Sequence, residues 1–348
     1  MNNNTNPPTI KDVAKLSGVS IATVSRVING GQKVRSEANE RVTKAIEELQ
    51  YTPNRAAQAL VSKETKSIGV VVNNLHDPFF YDLLKGFEKG AEITSYNVVF
   101  CSVSSGAVDE KERYIKYLTN GVVDGIILYG SYLSDESLIK YVKSQTSCDF
   151  IIIENNIPEG SYNELLVDNT SGADSAVSYL YELGHRKIAH ICGDLNKRIS
   201  IERFSGFLQA MQNRRLIVES NYVQHATVDP QTGYTCMQNL LKLPEPPTAV
   251  FCSDDVLASN AIQAAMDMGL SVPEDISVVG FDNQRILPDA YAGPKITSIV
   301  QPLYDIAKDS ILLLTERLQS SVPVEPLSKI YPTELIVKES TSPPKTKY

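Results

Sequence analysis

Side chains capable of directional hydrogen bonding recur at one kind of place in this chain, directly after short apolar runs. Asn73 and Asn74 follow Ile68-Gly69-Val70-Val71-Val72, and Glu154 follows Phe150-Ile151-Ile152-Ile153. Asp254 and Asp255 come after Ala249-Val250-Phe251-Cys252-Ser253, Asp282 after Val278-Val279-Gly280-Phe281, and Gln301 after Ile299-Val300. Arg203 stands near the start of a helical pattern beyond the loop 193–200. A carboxylate accepts several hydroxyl protons and a guanidinium donates from a fixed fork, so such a set suits a polyol or sugar. Helix caps and turns compete for some of these groups. Asp255 reads as the N-cap of the long helix that begins there, Asp282 equally as a cap or turn brace, and Asn73 as a turn residue.

Catalysis finds little support. Paired carboxylates can hydrolyse a glycoside, but one of them must be held protonated as the acid, and nothing in the sequence marks one out. No HExxH, GxSxG or phosphate-cradling GxxxxGK run is present, so no catalytic residue, cofactor or metal is expected. His185 reads as a helix end, His190 as part of a strand, and His76 and His225 as loop residues.

The apolar runs explain why these polar groups would converge. Runs at 67–72, 98–102, 125–128 and 150–153, then at 187–192, 249–252 and 276–281, are continuous and rich in β-branched residues, with amphipathic helical stretches between them. That pattern predicts parallel strands covered on both faces, and two sets predict two lobes. In such doubly wound sheets ligands lie outside the carboxyl ends of the strands, where the polar residues above stand.

The first sixty residues follow a different period. Thr9 can cap a helix whose inward face carries Ile10, Val13, Ala14 and Leu16; Gly18 breaks it, and Ser20 caps the next, Ile21–Ile28. Asn29-Gly30-Gly31 ends that helix, and a third runs from the cap Ser36 to about Leu49 with Val42, Ile46 and Leu49 inward. Two short helices around a glycine turn form a helix-turn-helix. Val24, Val27 and Ile28 face inward, leaving Ile21, Ala22, Ser25 and Arg26 free to face outward. An outward arginine can fork onto guanine, and Ile21 and Ala22 can touch base edges. Thr9, Ser20, Thr23, Ser25 and Asn29 suit phosphate oxygens. A three-helix interaction module remains the alternative reading of the pattern. Beyond Pro53 lies a single short helix, unstable alone, whose Leu60 has no evident core.

Charge agrees with that division. The net charge is −8, yet residues 1–66 hold ten Lys and Arg against six Asp and Glu, leaving 23 against 35 in the remainder. Only the head favours phosphate. The polar start, the absence of any run of roughly 20 apolar residues, and five scattered cysteines predict a cytoplasmic, nucleoid-associated protein that neither spans a membrane nor relies on disulfides.

The runs Thr9-Ile10-Lys11-Asp12-Val13-Ala14, Gly18-Val19-Ser20, Ala22-Thr23-Val24-Ser25-Arg26-Val27-Ile28-Asn29 and Tyr51-Thr52-Pro53-Asn54-Arg55-Ala56-Ala57 closely resemble the lactose-repressor (LacI/GalR) family, and the likeness extends to about Ile336. The resemblance implies a helix-turn-helix head joined to a two-lobed body like the periplasmic binding proteins. It implies a polar tail (1–8), a DNA-binding domain (9–52), a hinge helix and linker (53–66), an effector-binding and dimerisation body (67–340) and a C-terminal tail (341–348). Lobe 1 would comprise 67–167 and 303–328, lobe 2 168–300 and 329–340. Ile21, Ala22 and Arg26 fall at base-reading positions. Asn54, Ala57 and Leu60 fall on the minor-groove hinge, with Leu60 as the wedge at the centre of a CG-centred pseudo-palindrome. Glu154, Arg203, Asp254, Asp282 and Gln301 fall at positions that line the effector cleft, beside Asn73 and Phe79. Asp254 departs from the Asn that relatives often carry, and Val167 and Val228 replace aromatics that stack on sugar rings in some of them; Phe79, Phe80, Tyr129 and Tyr234 are candidates to compensate. The tail carries no leucine heptad, which predicts a homodimer. The implied protein is a repressor governed by a sugar-like effector. Control by a phosphorylated carrier protein is the alternative, and a sugar-binding transport component a more distant one.

Overall fold

The computed structural model describes residues 7–28, 34–53, 64–103, 108–130, 132–146, 148–155, 162–227, 229, 231–285, 291–322 and 324–345. They form two compact units, 1–65 and 66–348.

In the first unit, helices α1 (Ile10–Ser17), α2 (Ile21–Ile28) and α3 (Ser36–Leu49) close on a core of Val13, Ala14, Val24, Val42 and Ala45. At 3.6 residues per turn, 10, 13, 14 and 17 share a face while 16 does not. Leu16, expected inward, is therefore 46% exposed, and Ser17 takes the buried place with its hydroxyl donating to the Val13 carbonyl at 2.6 Å. Gly18 ends α1 at φ +65°, a left-handed backbone that suits glycine. Ser36, expected as the cap of α3, is its first helical residue, preceded by extended Arg35.

The second unit contains two six-stranded sheets. The first holds β1 (Ser67–Asn73), β2 (Asn97–Val103), β3 (Gly125–Tyr129), β4 (Asp149–Ile153), β5 (Asn163–Val167) and β11 (Ser328–Tyr331), in the order β11-β5-β4-β3-β1-β2, and every pairing is parallel. The second holds β6 (Ile188–Cys192), β7 (Val223–His225), β8 (Ala249–Cys252), β9 (Ser277–Phe281), β10 (Thr297–Val300) and β12 (Glu334–Ile336), in the order β12-β10-β9-β8-β6-β7. Its pairings are parallel except β10 with β12. Strands such as β3 and β9 are buried at every residue because helices cover both faces.

Around the first sheet lie α4 (Phe80–Thr94), α5 (Val108–Thr119), α6 (Asp135–Gln145) and α11 (Leu303–Gln319). Around the second lie α7 (Asn169–Glu182), α8 (Arg198–Asn213), α9 (Thr232–Leu241) and α10 (Asp255–Asp267). Gly86 lets α4 approach α11 closely: a Cβ there would sit 2.2 Å from the Tyr304 carbonyl oxygen.

Two expected boundaries move. Residues 329–340 were assigned to lobe 2 as a block, yet Ser328–Tyr331 pairs with β5 in lobe 1, and the chain recrosses between Tyr331 and Glu334. The segment from 341 was expected to be a tail. Its Ser342 instead exchanges bonds with Ser277, and its carbonyl meets His185 Nε2 at 2.9 Å. His185, whose Nδ1 meets Thr248 Oγ1, is thus a buried fastener for that segment. The chain crosses between lobes three times, after Val167, between Val300 and Leu303, and between Tyr331 and Glu334.

Candidate functional site

The carboxyl ends of both sheets face a cleft of about 390 Å³ whose wall includes Asn73, Asp77, Phe79, Tyr129, Arg203, Ser253, Asp254 and Asp282. Sequence-level placement of polar groups at strand ends is what brings them here. Three of those ends carry non-glycine residues in the left-handed region: Asn74 (φ 46°) after β1, Glu154 (φ 63°) after β4 and Asp282 (φ 91°) after β9. Backbone strain of this kind concentrates at binding sites, where the surroundings hold it in place.

Arg203 organises the lobe 2 side. It projects from the first turns of α8 and is 2% exposed. Its Nε donates to Asn169 Oδ1 at 2.9 Å, Nη1 to the Ser253 carbonyl at 2.6 Å, and Nη2 lies 3.1 Å from Asp282 Oδ1. The guanidinium also rests 3.7 Å from the centre of the Phe281 ring. Asp282 Oδ1 additionally accepts from Gln301 Nε2 at 2.5 Å. Despite this partner, burial pushes Asp282 up to about 6, outweighing the attraction of Arg203.

Glu154 and Gln301, expected on the wall, stand behind it. Glu154 Oε2 accepts from Asn169, which in turn accepts from Arg203, and Gln301 reaches the cleft through Asp282. Burial raises Glu154 to about 8, with Arg203 opposing and Glu202 reinforcing the shift. Near neutral pH it is therefore largely a protonated acid, able to donate. Asp254 lines the cleft while capping α10, its Oδ1 accepting from the Leu257 amide at 2.7 Å. Asp255, expected as that cap, points into the fold, accepting from Ser298 Oγ and the Gln284 amide. Asp254, too, is raised by burial.

Several buried polar atoms here have no protein partner: Asn73 Oδ1 and Ser253 Oγ on the wall, Glu154 Oε1 and Gln301 Oε1 behind it. Buried polar groups are normally satisfied, so their concentration in one place calls for a bound partner that both donates and accepts, as a hydroxyl does. Phe79, Phe80 and Tyr129 pack edge to face beside them. Tyr234, the other aromatic candidate, lies off the cleft wall and donates to Asp267. Val167 is buried in the lobe 1 core, and Val228 lies outside the described residues. Sequence reasoning did not single out Asn169, Asp77, Ser253 or Tyr132. Ser253 and Asn169 follow strands at the same edge and were open to the rule that found Glu154; Asp77 and Tyr132 lie in loops with no such signal.

In the head, Ile21 (46% exposed), Ala22 and Arg26 form an outward face of α2, whereas Thr23 and Ser25 are half-buried. Ser20 Oγ accepts from the Thr23 amide and meets Thr23 Oγ1 at 2.9 Å. Thr9 donates through amide and hydroxyl to Asp12. Asn29 and the hinge residues Asn54, Ala57 and Leu60 lie outside the described residues.

Residues 9–54 match the family "Bacterial regulatory proteins, lacI family", and residues 177–341 match the periplasmic binding protein-like domain. The HTH-type transcriptional repressor CytR of Escherichia coli K12 is 35% identical over 334 residues, 96% of each chain. The lac repressor dimer bound to operator and the anti-inducer ONPF superposes with a TM-score of 0.85 at 25% identity, over 97% of this chain and 100% of that one. A CelR–cellobiose complex superposes at 0.71 with 29% identity, over 96% and 99%. The chain therefore belongs to the lacI family of bacterial regulatory proteins and is a non-enzymatic, DNA-binding transcription regulator.

Proposed function

We propose that this protein represses transcription as a homodimer on a CG-centred pseudo-palindromic operator, and that a sugar or sugar derivative in the interlobe cleft sets its operator affinity. The observation that carries the ligand reading is the group of unpartnered polar atoms around the cleft, the acceptor Asn73 Oδ1 foremost. A hydroxyl-rich molecule supplies the missing donors, and the carboxylates of Asp254 and Asp282 extend the same chemistry. The related CelR binds cellobiose and the lac repressor dimer holds operator DNA, which supports both halves of the reading. Ile21, Ala22 and Arg26 read bases, while Thr9, Ser20, Thr23, Ser25 and Asn29 hold phosphates. Asn54, Ala57 and Leu60 act in the minor groove. Among the described residues no helix is long and apolar enough to cross a membrane; action on chromosomal DNA places the protein in the cytoplasm.

The test is a thermal-shift screen of the full chain against monosaccharides and disaccharides, ribose and cellobiose among them. A ligand that binds the native state alone raises the midpoint with the logarithm of its concentration. The reading expects a sugar whose shift is lost in Asn73→Ala. A shift that survives this change and an Asp254→Asn change would place the ligand elsewhere.

A further inference from the structure

At one edge of the cleft, where Tyr132 and Lys197 form part of its wall, the two lobes are stitched together. In lobe 1, the segment leading into α6 carries Tyr132 and Leu133; in lobe 2, the segment leading into α8 carries Asn196 and Lys197. They meet as a short antiparallel bridge between Tyr132 and Lys197, and the Leu133 amide donates to the Asn196 carbonyl at 2.9 Å. A side-chain clasp doubles it. Arg198, the first residue of α8, donates through Nε to Asn155 Oδ1 at 3.1 Å, while Asn155 Nδ2 donates to the Tyr132 carbonyl at 3.3 Å. Asn155 is wholly buried, and neither it nor Arg198 forms part of the cleft wall.

The lobe 1 partner is itself pinned. Asp135 Oδ2 accepts from the Tyr132 amide at 3.2 Å, and Asp135 is held by Lys111 at 2.6 and 2.7 Å, both side chains fully buried. Two ammonium groups approach the Tyr132 ring, Lys111 at 5.1 Å and Lys197 at 5.4 Å from its centre, one from each lobe. A buried ion pair that anchors a surface loop needs a reason, because burying two charges costs free energy that a well-packed apolar pair avoids. Holding the loop in register for a cross-lobe strand pairing supplies one. A further polar contact between the lobes, Arg285 with Asp82 at 3.3 Å, is solvent-exposed and contributes little.

We propose that this bridge is a latch that sets how far the lobes open, with Arg198 and Asn155 as positioning residues that hold it without touching the ligand. The latch weights the closed arrangement before any ligand arrives. This inference rests on lobe geometry and stands whether or not the cleft takes a sugar.

The experiment is hydrogen exchange on the ligand-free full chain, resolved at the Leu133 amide, for wild type and Arg198→Ala. Opening of the latch is what exposes that amide. Wild type is expected to protect it, and Arg198→Ala to speed its exchange about tenfold through loss of one charge-assisted bond. Amides of β3 and β8 should be unchanged, which a general loss of stability would not allow. Leu133 unprotected in wild type overturns the latch; protection unchanged in Arg198→Ala overturns the role of the clasp. Asp82→Ala serves as the second variant and should leave Leu133 untouched; acceleration there would mean that the exposed pair governs closure instead.

Discussion

Replacing Arg203 with alanine should destabilise the body by an amount that depends on pH in a specific direction. The guanidinium satisfies Asn169 Oδ1, the Ser253 carbonyl and Asp282, all at sites shielded from water. At pH 8 the change leaves Asp282 as a buried, unpaired carboxylate, a situation that costs about 3–5 kcal/mol. At pH 5 the cost is smaller. Asp282 is held up to about 6 even beside Arg203, so without it the carboxyl is higher still and neutral at pH 5. The loss then reduces to unmade hydrogen bonds, about 1–3 kcal/mol. A carboxyl raised in the folded state stabilises below its unfolded value and loses that contribution as pH rises through the folded value, so the penalty must grow with pH. For a unit of this size roughly 2–4 °C accompanies each kcal/mol, which predicts a melting midpoint about 6–20 °C lower at pH 8 and about 2–12 °C lower at pH 5. Calorimetric melting at the two pH values measures this. Equal losses, or the greater loss at pH 5, would refute the argument that burial and Arg203 compete over Asp282.

Glu154→Gln should flatten the body's stability profile across the same range. Wild-type Glu154, raised to about 8, favours the fold at pH 5 and loses that contribution by pH 9, on the order of 4 kcal/mol; urea titrations at pH 5.5 and 9 should show a smaller difference in the variant, and parallel profiles would mean that the carboxyl is not buried as described. Val24→Ala removes two methyl groups from the five-residue head core, a loss of about 2 kcal/mol. So small a domain has little reserve. Operator binding and head helicity should fall while the melting of 66–348 is unchanged, and an equal fall in both transitions would show that the units are not independent. Arg26→Ala should relax preference at one base pair by about 1–3 kcal/mol, read by binding to single-substituted operator duplexes; uniform weakening across all duplexes would reassign Arg26 to phosphate.

Much of this was legible in the sequence because the fold obeys simple periodicities. Continuous β-branched runs can be buried on both faces only in parallel sheets, so β1, β4, β8 and β9 were visible, and with them the strand ends that carry Asn73, Glu154, Asp254 and Asp282. Near-equivalent neighbours were harder. Asp254 and Asp255 both suit a helix start, and the choice is made by Ser298 and the Gln284 amide, which claim Asp255 from distant parts of the chain. Leu16 was placed inward on hydrophobicity although its helical phase is outward. The lobe boundary near 328 was misplaced because a four-residue strand, largely exposed, carries little periodic signal; its pairing with β5 is decided at the sheet edge. Lys111 and Asp135 were not singled out, because no local pattern announces that they are buried against each other. The latch residues Asn155 and Arg198 likewise acquire meaning only when two lobes, joined through three crossings, are brought together.

The central claim is that occupancy of the cleft and binding of DNA are one equilibrium. An operator recovered by selection from random duplexes, followed by its dissociation constant with and without a sugar that raises the melting midpoint through Asn73, measures that coupling. The account predicts a change of roughly 5- to 150-fold in operator affinity, mirrored by an equal change in sugar affinity when operator is present. A sugar that binds through Asn73 and leaves the operator constant unaltered would contradict it.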